Sequence, residues 1–237
     1  MARKCFSKKI SMKKNFNNSD YLSSETIIEL YKNGIFIMAE KRDDKNIFFL
    51  NPPKRALLPI KNFHCPKSLL RFSKKKPFEV TINKSFKEVV TFCAITNRTE
   101  TWINKLIERK FLQLHNKGYA HSIECWDKNE LVGGIYGLAL GGCFFAESMF
   151  SKTSNAGKFA LLNLVSRLHM LRYTLLDVQF VNDHLKQFGV FEISRSAFKN
   201  KLKNSLKKNI NFQSLGVFEE DPFSCVLRFL QSISTKS

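Results

Sequence analysis

The stretch Cys143 to Phe180, "CFFAESMFSKTSNAGKFALLNLVSRLHMLRYTLLDVQF", decides the fold. It opens with "CFFAESMF", an almost wholly apolar run of strand length interrupted by one carboxylate, Glu147. From about Asn155 to Leu171 the residues Leu161, Leu164, Val165 and Leu168 fall at helical spacing. Thr174 to Val181 then returns to a period of two, with Leu176, Val178 and Phe180 on one face and Asp177 and Gln179 on the other. Strand, helix and strand in that order predict a crossover unit whose two strands lie parallel in one sheet.

Working outward, "HSIECW", a turn at Asp127 to Asn129, and "ELVGGIYGLALGG" lead into that first strand as an antiparallel meander. Upstream, "SLLRFSKKKPFEVTINKSFKEVVTFCAI" predicts helix, basic loop, strand, and a helix beginning near Ser85. A helix containing "INKLIERKFLQLHNKG" ends at Gly118. Closer to the start, "SSETIIELYKNG" predicts a helix capped by Ser23 or Ser24 and ended by Gly34. "IFIMAE" and "IFFLNPP" follow as short strands about the turn "KRDDKN". Pro52, Pro53 and Pro59 mark a boundary near residue 58. The expected architecture is α+β: a small N-terminal domain over residues 1–58 (basic arm, short helix, short strands) and a larger domain with a mixed sheet over 59–237. Residues 190–212 are mixed and basic, with no clear period.

A chain of 237 residues with 43% hydrophobic and 25% charged residues has the composition of a soluble globular protein. No apolar run reaches the roughly 20 residues that span a bilayer, and the basic start lacks the apolar core of a secretory signal, so no membrane role is expected. Cys5, Cys65, Cys93, Cys125, Cys143 and Cys225 are scattered without metal-like spacing, as reduced cytoplasmic thiols would be, and no metal site is expected. The net charge of +19 points to a polyanionic partner, although a lysine-rich composition contributes to it. "RFSKKKP", with Lys74, Lys75 and Lys76, together with Lys8, Lys9, Lys13 and Lys14, supplies phosphate candidates, which a solvated basic face would explain as well.

Five of the ten glycines fall between Gly133 and Gly142, but neither GxxxxGK[ST] nor GxGxxG is present. No turn of the kind that cradles the pyrophosphate of acetyl-CoA opens a helix, so these glycines read as places of close backbone approach and bulging. Glu147, in an apolar strand, must be bonded, paired, protonated or turned to solvent. The crossover unit makes it a neighbour of Asp177 and Gln179, so three polar groups converge on one apolar region.

The blocks "NGIFIMAEKRDD", "FFLNPPKRALLP", "TWI", "LHNKGYAHSIECW", "ELVGGIYGLALGGCFFAESMFS", "NAGKFAL" and "LLDVQFVNDHLKQFGVFEI" run in an order that resembles the leucyl/phenylalanyl-tRNA–protein transferases, over roughly residues 21–200. The resemblance implies transfer of Leu, Phe or Met from aminoacyl-tRNA to proteins beginning with Arg or Lys, which marks them for N-end-rule degradation. It implies an N-acetyltransferase-like (GNAT-like) larger domain without acetyl-CoA or any other cofactor, in a cytoplasmic monomer. Asp177 and Gln179 match the reaction-centre pair, with Asp177 either a proton acceptor or a positioning group. Ile135, Phe144, Glu147, Leu161, Leu164, Leu168 and Leu176 match the amino-acid pocket, and Met38, Trp102 and Asn182 match positions about the terminal adenosine. Ile37, Glu100, Phe111 and Gly157 depart from residues usual in the family. Two other readings of the residues are a CoA-dependent N-acetyltransferase and a non-catalytic RNA-binding protein.

Overall fold

In the computed structural model of the chain, which describes residues 22–96, 100–214 and 222–234, the first helix is set by its ends. The Ser23 hydroxyl accepts from the Thr26 amide at 3.1 Å, so α1 runs Ser24–Lys32. Gly34 then turns the chain at φ +78°, where glycine carries no side-chain penalty. β1 (Phe36–Met38) and β2 (Phe48–Leu50) pair antiparallel about the "KRDDKN" segment. The basic arm expected over residues 1–20 and Cys5 lie outside the described residues.

The central layer is a mixed seven-stranded sheet. Its strands are β3 (Lys54–Leu57), β4 (Glu79–Ile82), β5 (Ala120–Asp127), β6 (Glu130–Leu140), β7 (Cys143–Ser151), β8 (Leu175–Gln179) and β9 (Phe191–Ser194), in the spatial order β4-β5-β6-β7-β8-β3-β9. The meander β5–β6–β7 is antiparallel, and β7 and β8 are parallel, with Phe145 opposite Asp177. α5 (Ala156–Met170) makes the crossover. Two strands depart from the sequence reading. β3 falls in the proline-bounded segment just ahead of residue 58, and it is inserted between β8 and β9. β9 occupies the start of the segment without a clear period.

The remaining helices are α2 (Lys67–Ser73), α3 (Phe86–Ile95), α4 (Lys105–Asn116), α6 (Asp183–Lys186), α7 (Arg195–Leu206) and α8 (Pro222–Ser234). Side chains of α1, α3, α4 and α7 form one core cluster with the sheet, and those of α2, α5 and α8 form the other. Strand alternation serves both: Phe145 and Leu175 join the first cluster, Phe144, Leu176 and Val178 the second. Each fully buried Phe or Leu contributes roughly 1.5–3 kcal/mol, so β7 and β8, apolar on both faces, hold the centre of the sheet. Among the described residues no helix is long and apolar enough to cross a membrane. Cys65, Cys125 and Cys143 are free thiols.

Candidate active site

The polar face of β8 is buried, which is not where a solvated strand would put a carboxylate. Asp177 is 0% exposed, and it meets Arg55 of β3, itself 1% exposed. Arg55 Nε donates to both carboxylate oxygens at 2.9 and 3.0 Å, and Nη2 donates to Oδ2 at 2.6 Å. Nη1 donates to the Gly34 carbonyl at 3.0 Å. The guanidinium lies between the rings of Phe36 and Phe198, 4.5 and 4.6 Å from their centroids. A buried charge is tolerated only when paired and hydrogen-bonded, and this one is both. A Cβ at Gly34 would stand 3.1 Å from the Phe198 ring, so the glycine also lets the turn close over this stack.

Gln179 is held by the same carboxylate. Its amide donates to Asp177 Oδ1 at 3.0 Å, and its φ is +58°, a left-handed conformation unusual for a residue with a side chain. The acceptors beside the side-chain amide assign its orientation: with Nε2 turned to them, it donates to the carbonyls of Ala146 at 3.0 Å and Val178 at 3.1 Å. The left-handed turn ends β8 and breaks its alternation. Phe180, expected beside Leu176 and Val178, instead crosses to the other face and meets Phe36 edge-on at 5.6 Å.

Glu147 is presented by a bulge. Tyr136 pairs with Ser148 and Gly137 with Ala146, which leaves Glu147 as the extra residue of β7. Gly137 makes this possible, because a Cβ there would come within 2.2 Å of the Phe145 carbonyl oxygen. Glu147 Oε1 is buried and completes no hydrogen bond among the described residues, and neither does the buried hydroxyl of Tyr31 on α1. Burial raises the Glu147 carboxyl to about 8; the neighbouring Tyr31 hydroxyl pulls it down, Asp177 pushes it up, and Arg55 pulls it down. Burial and then the charge of Glu147 likewise raise the Tyr31 phenol.

This has a consequence for stability. The native chain retains the Glu147 proton up to about pH 8, whereas the unfolded chain releases it near 4.5. The stability from this group is fully present below the unfolded value and is lost as pH rises toward the folded one. Glu147→Gln removes the titration while keeping the shape. The Tm of the variant relative to the unmodified chain should therefore rise steadily between about pH 4.5 and 8 and level off above. A difference independent of pH in scanning calorimetry would show that Glu147 is charged in the native state across this range.

Around these groups lies a cavity of about 260 Å³ at the end of β8. Ile135, Ala146, Leu161, Val178, Leu185 and Met149 form its apolar wall, Phe36, Trp102 and Phe180, with Met38 beside them, its aromatic side, and Glu147, Ser148, Gln179 and Asn182 its polar groups. The Ala39 amide donates to the Trp102 carbonyl at 3.0 Å and so holds Met38 beside the indole. The Asn182 side chain accepts from the Leu185 amide at 2.8 Å, capping α6 at the rim. Of the residues singled out in the sequence, Ile135, Glu147, Leu161, Met38, Trp102, Asn182 and Gln179 line this cavity. Asp177 stands behind Gln179. Phe144, Leu164, Leu168 and Leu176 are core residues, packed in the cluster that backs the apolar wall rather than on its surface. Lys74, Lys75 and Lys76 are exposed just after α2, outside the cavity. Sequence reasoning missed Arg55, whose partner is 122 residues away, and Phe36, Met149 and Leu185. Period two in "AESMF" could not reveal Met149, since the bulge resets it. Among the described residues no group of three or more His, Cys, Asp and Glu side chains could hold a metal.

The family model for leucyl/phenylalanyl-tRNA protein transferases matches residues 57–203, which include Glu147, Asp177 and Gln179. The chain belongs to that family. It is 45% identical over 192 residues to the leucyl/phenylalanyl-tRNA–protein transferase of Phenylobacterium zucineum, covering 80% of this chain and 87% of that one. It is 47% identical over 190 residues to that of Hyphomonas neptunium, covering 79% and 74%. The match to the Caulobacter vibrioides transferase is 44% over 198 residues, 83% of this chain and 91% of its relative. The chain is therefore an aminoacyltransferase, and the carboxylate-backed cavity at the end of β8 is its candidate active site.

Proposed function

We propose that the chain transfers Leu or Phe, and also Met, from the 3′ end of aminoacyl-tRNA to the α-amine of proteins beginning with Arg or Lys, marking them for N-end-rule degradation. It would act as a cytoplasmic monomer with no cofactor. The mixed sheet with its β7–α5–β8 crossover supports reading residues 59–237 as a GNAT-like domain, to whose sheet the smaller N-terminal segment 1–58 lends β3. The observation that carries the reading is the cavity at the end of β8. Its apolar wall suits an unbranched-at-Cβ aliphatic or aromatic side chain, and its aromatic side suits a nucleobase. Ile135 and Leu161 would touch the amino acid, with Phe144, Leu164, Leu168 and Leu176 shaping the wall from behind. Met38, Trp102 and Asn182 would hold the terminal adenosine, and Lys74, Lys75 and Lys76 would meet acceptor-stem phosphates.

In the reaction the α-nitrogen of the acceptor attacks the ester carbonyl carbon, the bond to the 3′-oxygen breaks, and an amide forms. The nitrogen loses a proton and the departing oxygen gains one. Both oxygens of Asp177 are occupied by Arg55, which favours positioning over proton acceptance for this residue. With Nε2 of Gln179 donating to Ala146 and Val178, its amide oxygen is the atom left to accept from the incoming amine. Glu147, a buried carboxyl that keeps its proton at neutral pH, can accept a hydrogen bond from the incoming amine through a carboxyl oxygen.

The deciding experiment supplies purified protein with labelled Leu-tRNA and a protein beginning with Arg. Label should enter the acceptor, with little entry from Val-tRNA or into an acceptor beginning with Ala. Equal use of Val, or no transfer from any charged tRNA, would overturn the reading.

A further inference from the structure

Beside the catalytic cavity lies a second one of about 540 Å³, and the two share Met149 and Asn182 as walls. Its remaining lining is Ser151, Lys152, Thr153, Ser154, Asn155, Gly157, Lys158 and His184, with no carboxylate among them. In the first cavity the ionisable wall group, among the described residues, is the Glu147 carboxyl. Lys152 is already engaged, lying 3.4 Å from Glu130 and 3.9 Å from the centre of the Phe92 ring. Lys158 is half-buried in the first turn of α5 and has no ion pair among the described residues. Its charge acts on His184 across the cavity: partial burial and then Lys158 hold that imidazole below its usual pKa. At neutral pH the site therefore presents one free ammonium and a neutral imidazole, a pairing suited to one phosphodiester. Phe72 and Phe78, on either side of Lys74 to Lys76, pack against Phe159, the residue after Lys158. The basic segment after α2 is thus anchored on α5, the helix that carries Lys158.

We propose that this second cavity holds the phosphate on the 5′ side of the tRNA's terminal adenosine, with Lys158 as its ion partner and His184 and the Ser154 hydroxyl beside it. The inference rests on aminoacyl-tRNA being the donor. An acceptor protein is the weaker occupant, because a chain beginning with Arg or Lys brings positive charge to a positive site. The anionic backbone then goes to Lys158, and the first cavity is left to the adenosine, its amino acid and the incoming amine.

The test compares two small donors, 3′-O-leucyl-adenosine and 3′-O-leucyl-adenosine 5′-monophosphate, with charged tRNA as control for the transfer reaction itself. In the unmodified protein the phosphorylated donor should show a KM about tenfold lower, as one charge-assisted bond predicts. In Lys158→Ala that ratio should collapse toward one, and the KM for charged tRNA should rise by a similar factor. Two results would overturn the proposal: no discrimination between the donors by the unmodified protein, or a ratio unchanged in Lys158→Ala. A rise confined to the KM for the acceptor protein would assign the cavity to the acceptor instead. If the unmodified protein uses charged tRNA not at all, the donor assignment falls rather than the cavity's role, so the two failures are distinguishable.

Discussion

Replacing Arg55 by Met is expected to abolish transfer and to cost about 3–5 kcal/mol of stability, the loss typical when one partner of a buried ion pair is removed. Arg55 does not line the cavity, and of the lining residues it meets the back of the Phe36 ring, 4.5 Å away. Its main effect runs through Asp177, which would be left buried and charged with the Gln179 amide on Oδ1 as its remaining donor. The chain has two ways out, and both damage the site: Asp177 takes up a proton, or it turns toward water and releases the Gln179 amide. A fall in activity alone would not separate misfolding from misplacement. The pair Arg55→Met with Asp177→Leu separates them. Apolar replacement of both partners of a buried ion pair is often neutral for stability, because no orphaned charge remains. The double variant should therefore recover most of the unfolding free energy lost by Arg55→Met, as read from urea titration. Its transfer rate should stay at least about a hundredfold down, because Gln179 then has no acceptor for its backbone amide. Recovery of transfer together with stability would show that the pair only fills space.

That Arg55 escaped the sequence reading while Asp177 did not has a physical cause. Period two over Thr174 to Val181 and helical spacing over Asn155 to Leu171 are local signals, each generated within one element. They locate β7, α5 and β8 and their parallel pairing. β3 is four residues bounded by prolines, and it pairs with β8 and β9, far along the chain. A strand that short carries no period, and its pairing leaves no trace in neighbouring residues. The same holds for the bulge at Glu147. The glycine that permits it, Gly137, is legible as a point of close approach, but the register slip that turns Glu147 and Met149 to the cavity belongs to the pairing of two strands. The polar groups of the site were legible as residue types in an apolar setting. The ion pair that holds them was not.

Gln179 carries the second large expected effect. Gln179→Ala removes the amide oxygen proposed to receive the incoming amine and the donor that fixes it to Ala146. Loss of a contact of this kind costs about 2–4 kcal/mol in the transition state, or roughly two to three decades in rate. The loss should appear in kcat, while the dissociation constant for charged tRNA stays within about threefold, since the wall, the aromatic side and the neighbouring basic cavity are untouched. The backbone provides an internal control. At φ +58° alanine is as strained as glutamine, whereas glycine is not. Gln179→Gly should therefore unfold at higher denaturant than Gln179→Ala, by about 1 kcal/mol, even though its transfer is equally depressed. Stability would then rise from the alanine to the glycine variant while turnover stays low in both, which is what a residue held in a strained conformation for its chemistry requires. Near-normal kcat in Gln179→Gly would sink the assignment, because the side chain would then be dispensable and the left-handed turn would have no functional purpose.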